Sequence, residues 1–367
     1  MRAVVCTDFG EASVREVDRP TPAADEVLVE IHRVQLSVTE CALYEGRDIA
    51  HADSIADRLA EGPARLFGHE FCATVRACGR DVESLSVGDR VYAPGKIPCG
   101  DCAYCESGRA EYCPDKTYIG YDIPGALAEY AALPAAALRR VPDGLSDATV
   151  AALQPLASSV LCVTTSPIEP GDLVAVVGTG VMGYQCGQLA LAAGAERVFA
   201  VDIDAEKLAI AADRGLEPID ATETDPVAEI TARTDGVGAD VVFAAVGGEQ
   251  SHATAGDDPV AQAVGAVRAG GTVVQVGYII GELTFSARAV RTKSVTWQNP
   301  VTGIANTGPG RDTGGFATEL VASGRVDIEA YITHELAGLE AFETAVEITA
   351  NKPEHGALGP AQLVLDG

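Results

Sequence analysis

Positive charge is scarce in this chain. Lys and Arg together number 26 against 53 Asp and Glu, a formal net charge of −27 at pH 7. Phosphate binding needs clustered cations, so no nucleic-acid partner is expected. The acidic residues are spread along the sequence rather than gathered in a tail, which makes the excess a surface property. A high-salt cytoplasm that screens self-repulsion accounts for it, and so does the ordinary acidity of a protein from a GC-rich bacterium. Long apolar runs are also missing. None reaches the roughly 20 residues that cross a bilayer. The first residues, Met1 to Gly10, run straight into strand-like alternation without a signal-peptide pattern. No membrane partner is expected, and the expected location is the cytoplasm.

What is present is a chain of 367 residues, 47% hydrophobic. That exceeds the roughly 250–300 residues at which a single core stops growing, so two domains are expected. From Met1 to about Leu153 short alternating runs are broken by turns, the clearest strand being Val27 to Ile31. From about Pro155 apolar runs alternate with alanine-rich stretches. Strands are predicted at Leu173–Val177, Arg197–Val201, Ala239–Val246 and Thr272–Val276. Helices are predicted at Val181–Ala193, Ala205–Arg214 and Pro259–Arg268, the first two closed by Gly194 and Gly215. This alternation means an α/β class with a doubly wound parallel sheet. After Tyr331 the texture reverts to short segments. The expected division is residues 1–153 with 333–367 as a β-rich domain, and 154–332 as the parallel-sheet domain.

Ten cysteines do not read as a disulfide framework. Four of them, Cys99, Cys102, Cys105 and Cys113, fall in one short C-x2-C-x2-C-x7-C segment while the other six are scattered, a pattern of metal binding in a reducing compartment. Zinc takes four thiolates at tetrahedral corners, and two-residue spacers turn successive thiolates onto one ion. With no position left for water, such a zinc holds a lobe (about 95–115) together and does no chemistry; an iron–sulfur cluster is the alternative occupant.

A second motif opens the helix after Leu173–Val177: Gly178-Thr179-Gly180-Val181-Met182-Gly183. Its glycines allow a tight turn, close approach of a pyrophosphate and close helix–strand packing, with the helix N-terminus facing the negative charge. Asp202 closes the next strand. Its carboxylate suits the adenosine ribose hydroxyls and repels a 2′-phosphate, so NAD is expected rather than NADP. Gly277 and Tyr278, just past Thr272–Val276, lie at another carboxyl edge, where the nicotinamide end is expected.

With Gly68-His69-Glu70, the Val87–Val91 turn, the four-cysteine lobe, the glycine loop and Tyr331–His334, the chain resembles the zinc-containing medium-chain dehydrogenase/reductase family over nearly its whole length. The resemblance implies a GroES-like first domain that holds a catalytic zinc, a second domain that binds NAD(P), a small-molecule substrate, and a homodimer or homotetramer. Two family positions are altered. Ser37-Val38-Thr39-Glu40 stands where the family has Cys-Gly-Thr-Asp, and Gln154-Pro155-Leu156 where sorbitol-type members have Glu-Pro-Leu. A zinc-binding thiolate has become a serine and a carboxylate an amide, both poor donors.

Three arrangements follow. His69 and Glu70 hold a labile zinc with Ser37, Gln154 or water, and the resemblance implies that Thr39 relays the proton. Or Cys41, one helical turn after Ser37, replaces the missing thiolate. Or no catalytic metal binds, and Ser37, Thr39, His69 and Glu70 form an acid/base set. The polar segment Gly46 to Arg65 suits a polyhydroxylated substrate, and the resemblance of Gln154-Pro155-Leu156 to the sorbitol-type segment implies a sugar, polyol or cyclitol. The alternatives are a zinc-free reductase of a polarised carbonyl, iminium or conjugated double bond, and a nucleotide-sensing or structural protein without catalysis. His51, His334 and His355 receive no role.

Overall fold

The computed structural model of the chain describes residues 1–248, 250–283, 286–300, 305–308 and 311–365. The chain forms two compact units, one of Met1–Ala157, Gly303–Ala322 and Ile328–Gly367, the other of Ser158–Thr302 and Ser323–Asp327.

The first unit is the β-rich one. Strands β1 (Arg2–Asp8) and β2 (Glu11–Glu16) form a hairpin. Strands β3 (Glu26–Gln35), β4 (Glu70–Cys78), β5 (Arg90–Tyr92), β6 (Tyr130–Pro134) and β7 (Arg139–Arg140) join Glu335–Ala337 and Gln362–Val364 in a seven-stranded sheet. Buried Val27, Val29, Ile31 and Val34 of β3 meet Phe71, Ala73 and Val75 of β4 in its core, so the apolar content of β3 is what fixes its place in the middle of the sheet. Two register shifts between β3 and β4 leave Gln35 opposite Glu70. The end of β3 and the start of β4 are thereby brought side by side. Helix α1 (Val38–Tyr44) begins directly after β3, and helix α2 (Ala52–Glu61) follows.

In the second unit β8 (Leu173–Val177), β9 (Arg197–Asp202), β10 (Glu217–Asp220), β11 (Ala239–Ala244), β12 (Val267–Gln275) and β13 (Thr296–Gln298) form a six-stranded sheet in the order β10-β9-β8-β11-β12-β13, parallel throughout. The strand order reverses at β8, and ligands of such sheets bind at the carboxyl ends beside that point. The helix predicted to reach Arg268 stops at Ala266, and β12 starts at once with Val267. Val267 is fully buried opposite Ala239, so pairing with β11 captures residues that periodicity assigned to the helix.

The units divide at Ala157, a few residues past the expected boundary. The described residues of Gly303–Ala322, expected with the parallel sheet, belong instead to the first unit. The Tyr92 hydroxyl of β5 donates to the Gly314 carbonyl (2.8 Å) and Arg139 Nε donates to Asp312 (2.7 Å), which anchors helix Thr313–Ala322 there. The short return Ser323–Asp327 joins the second unit, where Tyr184 donates to Asp327 Oδ2 and Gln188 Nε2 to the Asp327 carbonyl. Among the described residues no helix is long and apolar enough to cross a membrane.

Candidate active site, zinc lobe and dinucleotide loop

Where β3 gives way to α1, Ser37 caps the helix. Its hydroxyl accepts from the Glu40 N–H (3.1 Å), and Glu40 Oε2 accepts from the Ser37 N–H (3.1 Å), a reciprocal pair that satisfies two helix-start donors. The other oxygen, Oε1, points across to the start of β4. There it accepts from the N–H groups of Gly68 (2.6 Å) and His69 (3.1 Å) and faces His69 Nδ1 at 2.7 Å. The turn that delivers His69 is left-handed at both Phe67 (φ 65°) and Gly68 (φ 81°). A Cβ at Gly68 would stand 2.7 Å from the Leu127 nitrogen, so only glycine fits.

Glu40 occupies Nδ1, which leaves Nε2 to face Glu70 Oε1 at 3.6 Å. Glu70 Oε2 accepts from Gln35 Nε2 (2.6 Å), and Gln35 Oε1 accepts from Gln362 Nε2 (3.0 Å). Glu40 and Glu70 are buried, the His69 side chain 20% exposed. Burial opposes charge on His69, but Glu40 and Glu70 outweigh it and its pKa is raised. Burial also raises Glu70, against the pull of His69 and Gln35. Glu40 ends below its ordinary value because the charge and hydrogen bonds of His69 and the N–H donors overcome its burial.

Two ligands of one tetrahedral zinc, an imidazole nitrogen and a carboxylate oxygen, stand roughly 3.4 Å apart given metal–ligand distances of about 2.1 Å. His69 Nε2 and Glu70 Oε1 meet that spacing. The Ser37 hydroxyl already accepts the Glu40 N–H in the cap. Gln154 lies half-buried in helix Leu153–Thr164, and among the described residues no hydrogen bond links it to Ser37, His69 or Glu70. Half-buried Thr39 sits in the first turn of α1. Cys41 is not the replacement thiolate. It is buried in the core with its thiol toward Thr349, because a one-residue step turns it about 100° around the helix from Glu40.

Tyr121 is a neighbour that the sequence reading left out. Its buried ring is tilted against the His69 imidazole, with 5.5 Å between centroids, and stacks on His51 at 4.8 Å. The polar segment Gly46 to Arg65 holds this ring from behind. Arg58 Nη1 donates to the Tyr121 carbonyl (2.9 Å), and Ser54 donates to Asp122 (2.8 Å).

The four cysteines of the lobe converge, their sulfur atoms all within 4.8 Å of one another. Cys102–Cys105 and Cys99–Cys113 are 3.5 Å apart and Cys99–Cys105 4.0 Å. A tetrahedral tetrathiolate with about 2.3 Å bonds has edges of about 3.8 Å, so the set fits zinc. Among the described residues it is the only group of three or more His, Cys, Asp or Glu side chains arranged to hold a metal.

In the second unit the glycine loop follows β8. Gly178 turns at φ +92°, where a Cβ would strike Val246, and a Cβ on Gly183 would lie 1.9 Å from the Gly178 carbonyl oxygen. A Cβ on Gly180 would meet nothing within 4 Å. Gly180 thus borders open space at the start of helix Val181–Ala193, with Val181 and Met182 half-exposed in its first turn. Turn, opening and close packing are the three parts of a diphosphate cradle. Asp202, at the end of β9, faces this loop. Its Oδ2 accepts from the Thr179 N–H (2.6 Å) and hydroxyl (2.9 Å), its Oδ1 from the N–H groups of Ile203 and Asp204. Gly277 packs on the Val246 carbonyl, and the exposed Tyr278 accepts the Gly248 N–H through its own carbonyl (2.7 Å).

Residues 23–143 match the family model described as the alcohol dehydrogenase GroES-like domain, and residues 181–309 the one described as zinc-binding dehydrogenase. The chain is 31% identical over 354 residues to D-xylulose reductase A of Aspergillus oryzae, covering 94% of this chain and 92% of that one. The chain belongs to the zinc-containing medium-chain dehydrogenase family. Solved members that superpose on it include an alcohol dehydrogenase of Thermus sp. ATN1 (27% identity, TM-score 0.80, all of both chains). Another, from Sinorhizobium meliloti 1021 and described as a zinc-binding dehydrogenase bound to NADP, has 26% identity and a TM-score of 0.82 over 100% of this chain and 99% of its own. This medium-chain dehydrogenase is therefore an oxidoreductase with a GroES-like and a Rossmann-type unit.

Proposed function

We propose that this dehydrogenase interconverts a secondary alcohol of a sugar, polyol or cyclitol and the corresponding carbonyl by hydride exchange with NAD(H). The observation that carries the reading is the cradle at Gly180 with Asp202 beside it. The open space before the helix suits a diphosphate, and the carboxylates of Asp202 and Asp204 disfavour a 2′-phosphate. The substrate class rests on the polar Gly46 to Arg65 segment behind Tyr121 and on the likeness to D-xylulose reductase A. Cytoplasmic work as a homodimer or homotetramer completes the proposal.

The cysteine lobe would hold one zinc. In the first unit His69 Nε2 and Glu70 would hold a second, weaker one, which supplies polarisation of the alcohol oxygen. The chain's own part is defined without it. Glu40 fixes Nδ1 of His69 and aims Nε2, Gln35 fixes the Glu70 carboxylate, and Thr39 stands in the first turn of α1 as a hydroxyl that passes the alcohol proton.

Titration with NADH and NADPH tests the cofactor. Asp202→Ala is expected to weaken NADH binding by roughly 10- to 100-fold, the worth of a charged hydrogen bond, and to leave NADPH binding unchanged or better. Equal loss for both nucleotides would remove the ribose role of Asp202.

The second reading is acid/base work by the His69 set with no catalytic metal, favoured by the engagement of Ser37 in its cap. Zinc counts per chain separate the two after dialysis against a weak chelator. Ser37→Cys is expected to raise retained zinc from about one to about two, because a thiolate joins His69 and Glu70. A count that stays at one in that variant would show that His69 and Glu70 are not a metal site.

A further inference from the structure

We propose that Lys96 is the counter-charge of the cysteine lobe, a buried ammonium that fastens the turn carrying Cys113 and offsets the negative charge that four thiolates keep when they hold a divalent ion. The inference rests on the reading that Cys99, Cys102, Cys105 and Cys113 bind zinc.

The chain has only five lysines, and Lys96 is one that it buries, with 3% exposure. Its Nζ donates to the carbonyl of Glu111 (2.5 Å). Glu111 lies in the 3-10 turn Ala110–Tyr112, and the next residue is Cys113, whose side chain is fully buried and whose sulfur accepts from the Cys99 N–H (3.4 Å). Just past Lys96, Ile97 and Thr117 exchange two backbone hydrogen bonds of 2.8 Å. Lys96 is thereby set at the base of the lobe, beside the point where the chain leaves the cluster.

Among the described residues Lys96 forms no ion pair, and its nearest charged neighbours include a second lysine, Lys116. Burial and Lys116 push its pKa down to about 8, against Glu111 and Cys113, which pull the other way. A buried ammonium is costly unless a negative charge stands near it. Four thiolates around a divalent ion leave two negative charges uncompensated, and an interior cation close enough to feel the charge of Cys113 stabilises that state. Sequence reading passes over Lys96 because it is not a ligand.

The test uses the intact zinc-loaded chain and reads metal rather than catalysis. Wild type, Lys96→Arg, Lys96→Gln and Lys96→Met are mixed with an excess of a chromogenic chelator, and zinc release is timed. Parallel samples loaded with cobalt are read by the thiolate-to-metal charge-transfer band. NADH binding by the second unit serves as the folding control. Lys96→Gln, which keeps a donor for Glu111 but no charge, and Lys96→Met are expected to release zinc roughly 10–100-fold faster. Lys96→Arg should stay near wild type, and the cobalt band should weaken only in the uncharged variants. Release from Lys96→Gln as slow as from wild type overturns the inference, as does release from Lys96→Arg as fast as from Lys96→Gln. A wild-type lobe that binds neither zinc nor cobalt overturns the zinc reading itself, an outcome distinct from both.

Discussion

Cys113→Ser is expected to empty the lobe. Zinc per chain should fall by one, and trypsin should cut at the exposed Arg109, which lies between the third and fourth cysteines. The effect is large because a closed zinc site contributes its binding energy to local folding, on the order of 10–16 kcal/mol in small zinc domains. Few other contacts replace it, since the helix Ala103–Glu106 has no buried residue and makes one turn. Cys78→Ser is the control, its thiol being engaged with the Leu85 carbonyl away from the cluster. Equal zinc content in Cys113→Ser and wild type would mean that the four sulfur atoms do not share an ion.

The dinucleotide loop gives the second large effect, and a pair of variants separates its causes. Gly183→Ala places a methyl 1.9 Å from the Gly178 oxygen and 3.1 Å from the Ala245 side chain. Helix Val181–Ala193 must then move off the loop, so the melting temperature and NADH affinity should fall together. Gly180→Ala adds a methyl that meets no atom within 4 Å, at a backbone conformation (φ −61°, ψ −175°) that alanine accepts. Its stability should match or slightly exceed wild type. Yet the methyl stands where the diphosphate would approach, and affinity for NADH should fall by more than about 100-fold, or roughly 3 kcal/mol. Fluorescence titration with thermal melts reads both. Full affinity in Gly180→Ala would place the nucleotide elsewhere.

Four of the six strands of the parallel sheet were readable because they are apolar runs, and two of its helices because a glycine follows them, whereas Glu217–Asp220 and Thr296–Gln298 are short and largely polar and were not predicted. Leu173–Val177 and Val181–Ala193 have the bounds that periodicity predicts. The cysteine cluster was readable because all its ligands are local. The site around His69 was only half readable, and the reason is register. Ser37-x-x-Glu40 carries the signature of a helix cap, and the structure forms that cap. That the same Glu40 reaches His69 depends on how β3 and β4 align, and their two register shifts leave no trace in hydrophobic pattern. Tyr121 and Gln35 escape for the same reason, and so does the attachment of helix Thr313–Ala322 to the first unit. Each is a contact between segments far apart in the chain. Cys41 misled because spacing alone does not say which side of a helix faces the site.

Glu40 serves two masters through two oxygen atoms, one closing the first turn of a helix and the other steering an imidazole. The proton affinity of that imidazole and the beginning of that helix cannot be varied independently. A change at position 40 that retunes the histidine also frays the helix, and heat that frays the helix releases the histidine in the same step. Loss of activity on warming should therefore run ahead of global melting and follow the local order of residues 37–44.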